Sequence, residues 1–190
     1  MRKIAITGNI ASGKSTVEKI LIDKGYHVFD TDKIAQDILS SSDEVKRAFS
    51  DFDILSDGKI DRQKLAKVVF ADQKLMKKLE NIIHPQVKNE LLKIFDMDYE
   101  TVFISVPQLF EAGFETLFDL IIFVTADEDL RLKRLIQRNN LTEEEALTRI
   151  KSQLSDDIKV IKSDIVIENN STKYDLEKAV NNLLQNQQIV

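Results

Sequence analysis

Apolar residues along this chain fall into two patterns, short continuous runs and longer stretches with helical spacing. The continuous runs predict buried strands at residues 3–7, 26–29, 101–106, 120–125 and 165–167. The helically spaced stretches predict helices at residues 12–24, 33–39, 127–138, 142–153 and 174–184. Strands that alternate with helices in this way are typical of an α/β fold, in which helices cover both faces of a parallel sheet.

The stretch from residue 40 to residue 98 departs from this alternation. It is rich in charge, and its apolar residues recur at helical spacing. Asp57 and Gly58 lie between Ile54 and Ile60 and predict a turn or a short hairpin there. We therefore expect a mostly helical insertion between two halves of the sheet.

Composition and charge narrow the class of protein. The chain has 190 residues, of which 43% are apolar, so it is long enough for one compact domain with a real core. Its net charge of -5 argues against nucleic acid as a partner, and the lack of cysteine excludes thiol chemistry. Neither a membrane span nor a signal peptide is predicted, so we expect a soluble cytoplasmic protein.

Residues 8–15 match the phosphate-binding pattern G-x-x-x-x-G-K-[ST] in full. Gly8 and Gly13 allow the backbone to curl so that its N–H groups point inward, at the start of a helix whose N-terminus attracts anions. Lys14 reaches the outer phosphates, and the Ser15 hydroxyl is a ligand for the magnesium that bridges them. The loop predicts a nucleoside triphosphate site, with ATP favoured, in a P-loop fold.

The reaction depends on a second acidic group. The strand at 101–106 ends without the aspartate that GTP switches and motor ATPases carry there, and no guanine-reading N-K-x-D sequence is present. The strand at 26–29 is instead followed by Asp30 and Asp32. If a right-handed crossover makes this strand parallel to the first, both aspartates face the phosphate loop, where a carboxylate can activate a hydroxyl and help to hold magnesium. The alternative is that they cap the next helix.

Six segments, in order, resemble motifs of the dephospho-coenzyme A (dephospho-CoA) kinase family. They are ITGNIASGKSTV, FDTDKIAQDIL, IIHPQV, VPQLFEAG, LIQRNNLTEEEALTRIKSQ and SDIVIENN. The resemblance runs over almost the whole chain. It implies a P-loop kinase with a three-layer α/β fold, a five-stranded parallel sheet, a helical substrate-binding insertion and a small helical lid. It also implies ATP-dependent phosphorylation of the ribose 3'-hydroxyl of dephospho-CoA.

The resemblance assigns roles and boundaries that we retain as expectations. Asp32 corresponds to the catalytic base and a magnesium ligand, and Arg138 to the lid arginine that closes on the transferred phosphate. The ATP-binding residues are Gly8, Ala11, Ser12, Gly13, Lys14, Ser15 and Thr16. The domain consists of a core (1–31, 99–137 and 163–190), an insertion (32–98) and a lid (138–162). ATP and dephospho-CoA are the expected partners, and the expected state is a monomer or a weak homo-oligomer.

Several residues keep two interpretations. His84 precedes Pro85 and is either a packed or capping residue or a substrate contact, since the residue before a proline is expected to be extended, which would aim its side chain. Glu111 is either a cleft carboxylate that binds substrate or an acid at a helix start. Arg138 could also be one cation on a solvated helix face.

The phosphate loop itself departs from the family pattern, because Asn9 and Ala11 replace two glycines. We expect the loop to close provided that neither position needs a positive φ angle, which alanine tolerates poorly.

Two other functions compete with this interpretation. A shikimate-type kinase shares the loop and an Asp-Thr-Asp after the second strand, but it needs a Gly-Gly run that this chain lacks. A non-enzymatic nucleotide switch is disfavoured by the missing strand-end aspartate.

Overall fold

The structure is a computed structural model that describes residues 1–185. These residues form two compact units, one made of residues 1–30 and 98–185 and the other of residues 31–97. The elements in chain order are β1 (Arg2–Gly8), α1 (Lys14–Asp23), β2 (His27–Asp30), α2 (Thr31–Ser41), α3 (Asp43–Ala48), β3 (Leu55–Ser56), β4 (Lys59–Ile60), α4 (Arg62–Ala71), α5 (Gln73–Phe95), β5 (Thr101–Ser105), β6 (Leu120–Thr125), α6 (Glu128–Asn139), α7 (Glu143–Lys151), α8 (Asp156–Ile161), β7 (Ile165–Glu168) and α9 (Lys173–Gln185).

Within the described chain, the first unit contains a five-stranded sheet in the order β2-β5-β1-β6-β7, with every neighbouring pair parallel. The predicted α/β fold with a five-stranded parallel sheet is therefore confirmed. Ser105 at the end of β5 is the Cα partner of both Ile6 and Asp30. Because the strands are parallel, the carboxyl ends of β1 and β2 lie at the same edge of the sheet, as predicted, with β5 between them.

The core of this unit explains why the strands read as continuous apolar runs. Side chains from β1, β5 and β6 pack with apolar residues of α1 and α9. This buried cluster includes Ile4, Ile6, Val17, Leu21, Phe103, Ile122, Val124, Leu176 and Val180. Gly25, with φ of 87°, follows the end of α1 as expected of a helix-stopping glycine, and the predicted capping box of Thr142 and Glu145 opens α7.

The second unit consists of α2 to α5 and an antiparallel hairpin in which Leu55 pairs with Ile60. The expected helical insertion and hairpin are both present. His84 and Pro85, however, lie inside α5, so the prediction that His84 is extended is wrong. Ile83, Val87 and Leu91 are buried along one side of this helix. Their packing outweighs the backbone hydrogen bond that a proline removes from a helix interior.

Two further elements differ from expectation. The first helix begins at Lys14 rather than at residue 12, because Ser12 and Gly13 belong to the loop before it. The short helix α8 was not predicted, because its apolar residues do not form the stripe at helical spacing that indicates a buried helix face. Accordingly, Ile158, Val160 and Ile161 are all exposed. No helix in residues 1–185 is both long and apolar enough to cross a membrane.

Candidate active site

The phosphate loop joins the end of β1 to the start of α1. Its backbone turns tightly, with the Ser12 N–H donating to the Asn9 carbonyl at 3.1 Å and the Thr16 N–H donating to the Gly13 carbonyl at 2.9 Å. Position 8 has room only for glycine, because a Cβ there would lie 2.6 Å from the Val124 carbonyl oxygen. The first turn of α1 thus begins at the loop, which puts its unpaired N–H groups where an anion can bind.

Ala11 has a φ of 62°, in the left-handed region. The condition under which we expected the loop to close, that neither Asn9 nor Ala11 needs a positive φ, is therefore not met at Ala11. A left-handed residue other than glycine costs about 1–2 kcal/mol. The loop must be held in this shape by contacts elsewhere.

Asn9 supplies part of that support. Its Nδ2 donates to the Leu154 carbonyl at 3.0 Å and to Asp156 Oδ1 at 2.6 Å, and the side chain is almost fully buried. In addition, the backbone N–H of Ile10 donates to Gln153 Oε1 at 2.7 Å. Residues 153–156, after α7, therefore support the loop at Asn9 and Ile10.

Asp156 is the centre of a larger polar network. Its Oδ1 lies 3.2 Å from Arg131 Nη2 on α6, and its Oδ2 accepts a hydrogen bond from the Thr125 hydroxyl at the end of β6. Arg131 is only 4% exposed, so its charge needs this partner. The sequence gives no signal for Asp156, because the helix that it begins is not predicted from the sequence.

The loop is also held by Asn169, which follows β7. Its Nδ2 donates to the Ser12 carbonyl at 2.8 Å. Arg134 Nη2 in turn donates to the Asn169 carbonyl at 3.0 Å. Asn169 lies in the motif SDIVIENN, from which no role for this residue is predicted.

Lys14 stands at the first position of α1 and is partly buried. Its Nζ donates to Glu18 Oε1 at 2.6 Å and to Ser105 Oγ at 2.5 Å. Ser105 Oγ also donates to Glu18 Oε1 at 2.7 Å. Ser105 occupies the end of β5, where GTP switches and motor ATPases carry an aspartate. Glu18, in α1, places a carboxylate beside this position. Glu18 belongs to no motif in the sequence, so this contact is not predicted from it.

Ser15 and Thr16 follow in the first turn of α1, and Ser15 is exposed. In residues 1–185 no cluster of three or more His, Asp or Glu side chains could hold a metal alone. Magnesium does not need such a cluster, because it keeps several water ligands and is held mainly by substrate phosphates.

Asp30 and Asp32 take up different positions. Asp30 is the last residue of β2, and Asp32 lies exposed in the first turn of α2. A carboxylate in a first turn is favoured by the positive end of the helix dipole. Asp32 belongs to the unit formed by residues 31–97.

Arg138 lies in the last turn of α6 and is exposed, with its Nε donating to Asn139 Oδ1 at 2.9 Å. Asn140, with φ of 51°, ends the helix. Arg138 therefore lies next to the connection to α7, at the start of the segment expected to be a lid.

Glu111 is not in a helix but in the turns after β5. Its Oε1 lies 2.8 Å from Nζ of Lys159, which is fully buried in α8. Glu111 is therefore the counter-ion of a buried lysine, a role that sequence analysis did not consider.

His84 lies in α5 of the second unit, half buried. Burial lowers the pKa of His84 below its usual value, with Glu80 opposing the shift and Lys77 adding to it. The imidazole is therefore kept neutral at neutral pH.

Comparisons with known proteins agree with this geometry. The family model for dephospho-CoA kinase matches residues 2–175. A dephospho-CoA kinase from Fusobacterium nucleatum is 43% identical over 181 residues, which cover 93% of this chain and 94% of the relative. Among solved structures, a Thermus thermophilus protein has a TM-score of 0.86 at 35% identity, and the two chains cover 98% of each other. The dephospho-CoA kinase from Campylobacter jejuni has a TM-score of 0.77 at 33% identity, over 97% of this chain and 96% of that one. This chain belongs to the dephospho-CoA kinase family.

Proposed function

We propose that this chain transfers the γ-phosphoryl group of ATP to the ribose 3'-hydroxyl of dephospho-CoA, forming coenzyme A and ADP. Membership of the dephospho-CoA kinase family makes it an ATP-dependent kinase with an alcohol acceptor. The observation that carries the assignment is the phosphate loop, which opens onto α1 with Gly13 and Lys14 at its end. The family relationship also argues against the two alternatives, a shikimate-type kinase and a non-enzymatic nucleotide switch.

The loop residues bind and orient the triphosphate. Backbone N–H groups at the start of α1 face the phosphates, and Lys14 adds a point charge beside them. Ser15, with Asp32, would hold magnesium, because hydroxyl and carboxylate oxygens are the ligands that this ion prefers. Magnesium neutralises charge on the phosphate oxygens when it is bound.

Asp32 is the proposed general base and Arg138 the proposed cation that stabilises the transferred group. Asp32 follows β2 by two residues, and β2 ends at the same sheet edge as β1, after which the phosphate loop begins. A carboxylate can accept the proton of the attacking hydroxyl while the phosphoryl group moves in line. Arg138 begins the proposed lid (138–162), and the unit formed by residues 31–97 is the proposed holder of the coenzyme A portion.

A coupled assay for ADP tests the assignment. The chain is incubated with ATP, magnesium and dephospho-CoA, and shikimate serves as the control acceptor. ADP formation that depends on dephospho-CoA, with a product phosphorylated at the 3'-hydroxyl by mass and NMR analysis, supports the proposal. Equal ADP formation with no acceptor would overturn it.

A further inference from the structure

One turn beyond Lys14, α1 carries a carboxylate that contacts the ammonium group directly. Glu18 Oε1 accepts hydrogen bonds from Lys14 Nζ at 2.6 Å and from Ser105 Oγ at 2.7 Å. The triangle closes because Lys14 Nζ also donates to Ser105 Oγ at 2.5 Å. The three groups therefore form one hydrogen-bonded unit between α1 and the end of β5.

This unit differs from an ordinary surface ion pair. The side chains of Lys14 and Glu18 are only 16% and 15% exposed, and Ser105 is fully buried. Salt screens such a pair weakly, and its charges act more strongly on each other than those of an exposed i,i+4 pair. A buried serine hydroxyl that donates to the same carboxylate oxygen keeps Glu18 in place.

The geometry has two consequences for a phosphate at the loop. An ammonium has three N–H donors, and among the described residues Glu18 and Ser105 accept two of them, which directs the side chain and leaves one donor for a phosphate oxygen. The negative charge of Glu18 also offsets the positive charge of Lys14, which lowers the attraction for an anion.

We propose that Glu18 is a positioning residue for Lys14, and that its charge limits how tightly the loop holds nucleotide phosphates. The hydrogen bonds orient the ammonium group, and the charge weakens the hold on ADP so that the product can leave. This inference rests on the proposed function in taking the loop as the site of ATP and ADP.

The test replaces the charge but keeps the hydrogen-bond acceptor. In Glu18→Gln, the amide oxygen can still accept from Lys14 and Ser105. We expect the dissociation constant for ADP, measured by titration calorimetry without magnesium and again with it, to fall about 3- to 10-fold in both conditions. A structural defect would instead weaken ADP binding, so the direction of the change in affinity distinguishes a loss of charge from a structural defect.

Two matched variants complete the experiment. Asp23→Asn makes the same charge change at the exposed end of α1 and should leave ADP affinity unchanged. Ser105→Ala removes the hydroxyl without changing charge and should not tighten binding. Thermal melting of each variant shows whether it is folded.

Three results would overturn the inference: unchanged or weaker ADP binding by Glu18→Gln, a change seen only with magnesium, or equal tightening in Asp23→Asn. If Glu18→Gln does not fold, Glu18→Ala is measured instead; it too should bind ADP more tightly, but with slower turnover because Lys14 loses its orientation. Wild-type chain that binds no ADP would refute the proposed function itself, whereas normal wild-type binding with an unaltered variant refutes only this inference.

Discussion

The side chain of Asn169 stands where any Cβ on Gly13 would have to be. A Cβ built on Gly13 would lie 2.1 Å from Asn169 Nδ2, the same atom that donates to the Ser12 carbonyl. Gly13 also has a φ of 100°, so this position excludes other residues both by backbone conformation and by space. A residue 156 positions later in the chain thus shapes the phosphate loop.

Gly13→Ala should therefore be more damaging than the same change at another left-handed glycine. We expect a loss of about 2–4 kcal/mol in the free energy of unfolding, since strain adds to the displaced hydrogen bond, together with a loss of ADP binding. Gly25→Ala is the matched control, because φ is 87° there but no atom lies within 4 Å of the new Cβ. Equal losses by urea unfolding would contradict a role for Asn169.

Ala11→Gly should relieve strain in the loop. Glycine adopts a φ of 62° freely, and the gain outweighs the extra entropy of its unfolded state, so we expect stabilisation of up to about 1 kcal/mol. Ala66→Gly, within α4, should change stability in the opposite direction by about 1 kcal/mol. Destabilisation by Ala11→Gly in urea unfolding would show that the left-handed alanine is not strained.

Asp32→Asn should lower turnover about 10²- to 10⁴-fold, because an amide cannot accept the proton of the attacking hydroxyl. ATP binding, measured by calorimetry, should remain nearly intact. Asp37→Asn, an exposed aspartate on the same helix, is the control and should keep wild-type turnover. Near-normal turnover in Asp32→Asn would rule out the base.

Arg138→Ala should reduce kcat by about 10²-fold or more, since an arginine that approaches the transferred phosphate stabilises its charge. Lys133→Ala removes another exposed cation from α6 and should have little effect. Steady-state kinetics with varied ATP distinguish the roles. An effect confined to the KM for ATP would indicate binding alone.

Glu111→Gln should destabilise the chain by about 3–5 kcal/mol, because it leaves the fully buried ammonium of Lys159 without a counter-ion. Glu115→Gln is the control. Its partner Lys162 is 3.6 Å away and 48% exposed, so the loss should be below about 1 kcal/mol. If Glu111→Gln instead keeps wild-type stability and raises the KM for dephospho-CoA, Glu111 binds substrate.

The sequence by itself determined the strands of the parallel sheet, most of the helices and the phosphate loop. Both depend on neighbours along the chain: apolar runs that predict strands, helical spacing, and eight consecutive residues whose backbone and side chains form the loop. The capping box at Thr142 and the hairpin around Gly58 are local in the same sense. Local signals failed where packing overrode them, as at His84, which the buried face of α5 keeps helical.

Only the tertiary structure decided what surrounds the loop. Asn9 with Asp156, Asn169 with Ser12, and Glu111 with Lys159 are pairs separated by 48 to 157 residues in the chain. No spacing rule connects such polar residues, because each becomes necessary only when folding buries its partner and removes water from it. Ala11 depends on the tertiary structure in the same way. The sequence shows that it replaces a family glycine, but only the structure shows that its φ is positive. The contacts of Asn9 and Ile10 with residues 153–156 hold the loop in a shape that alanine alone would not favour.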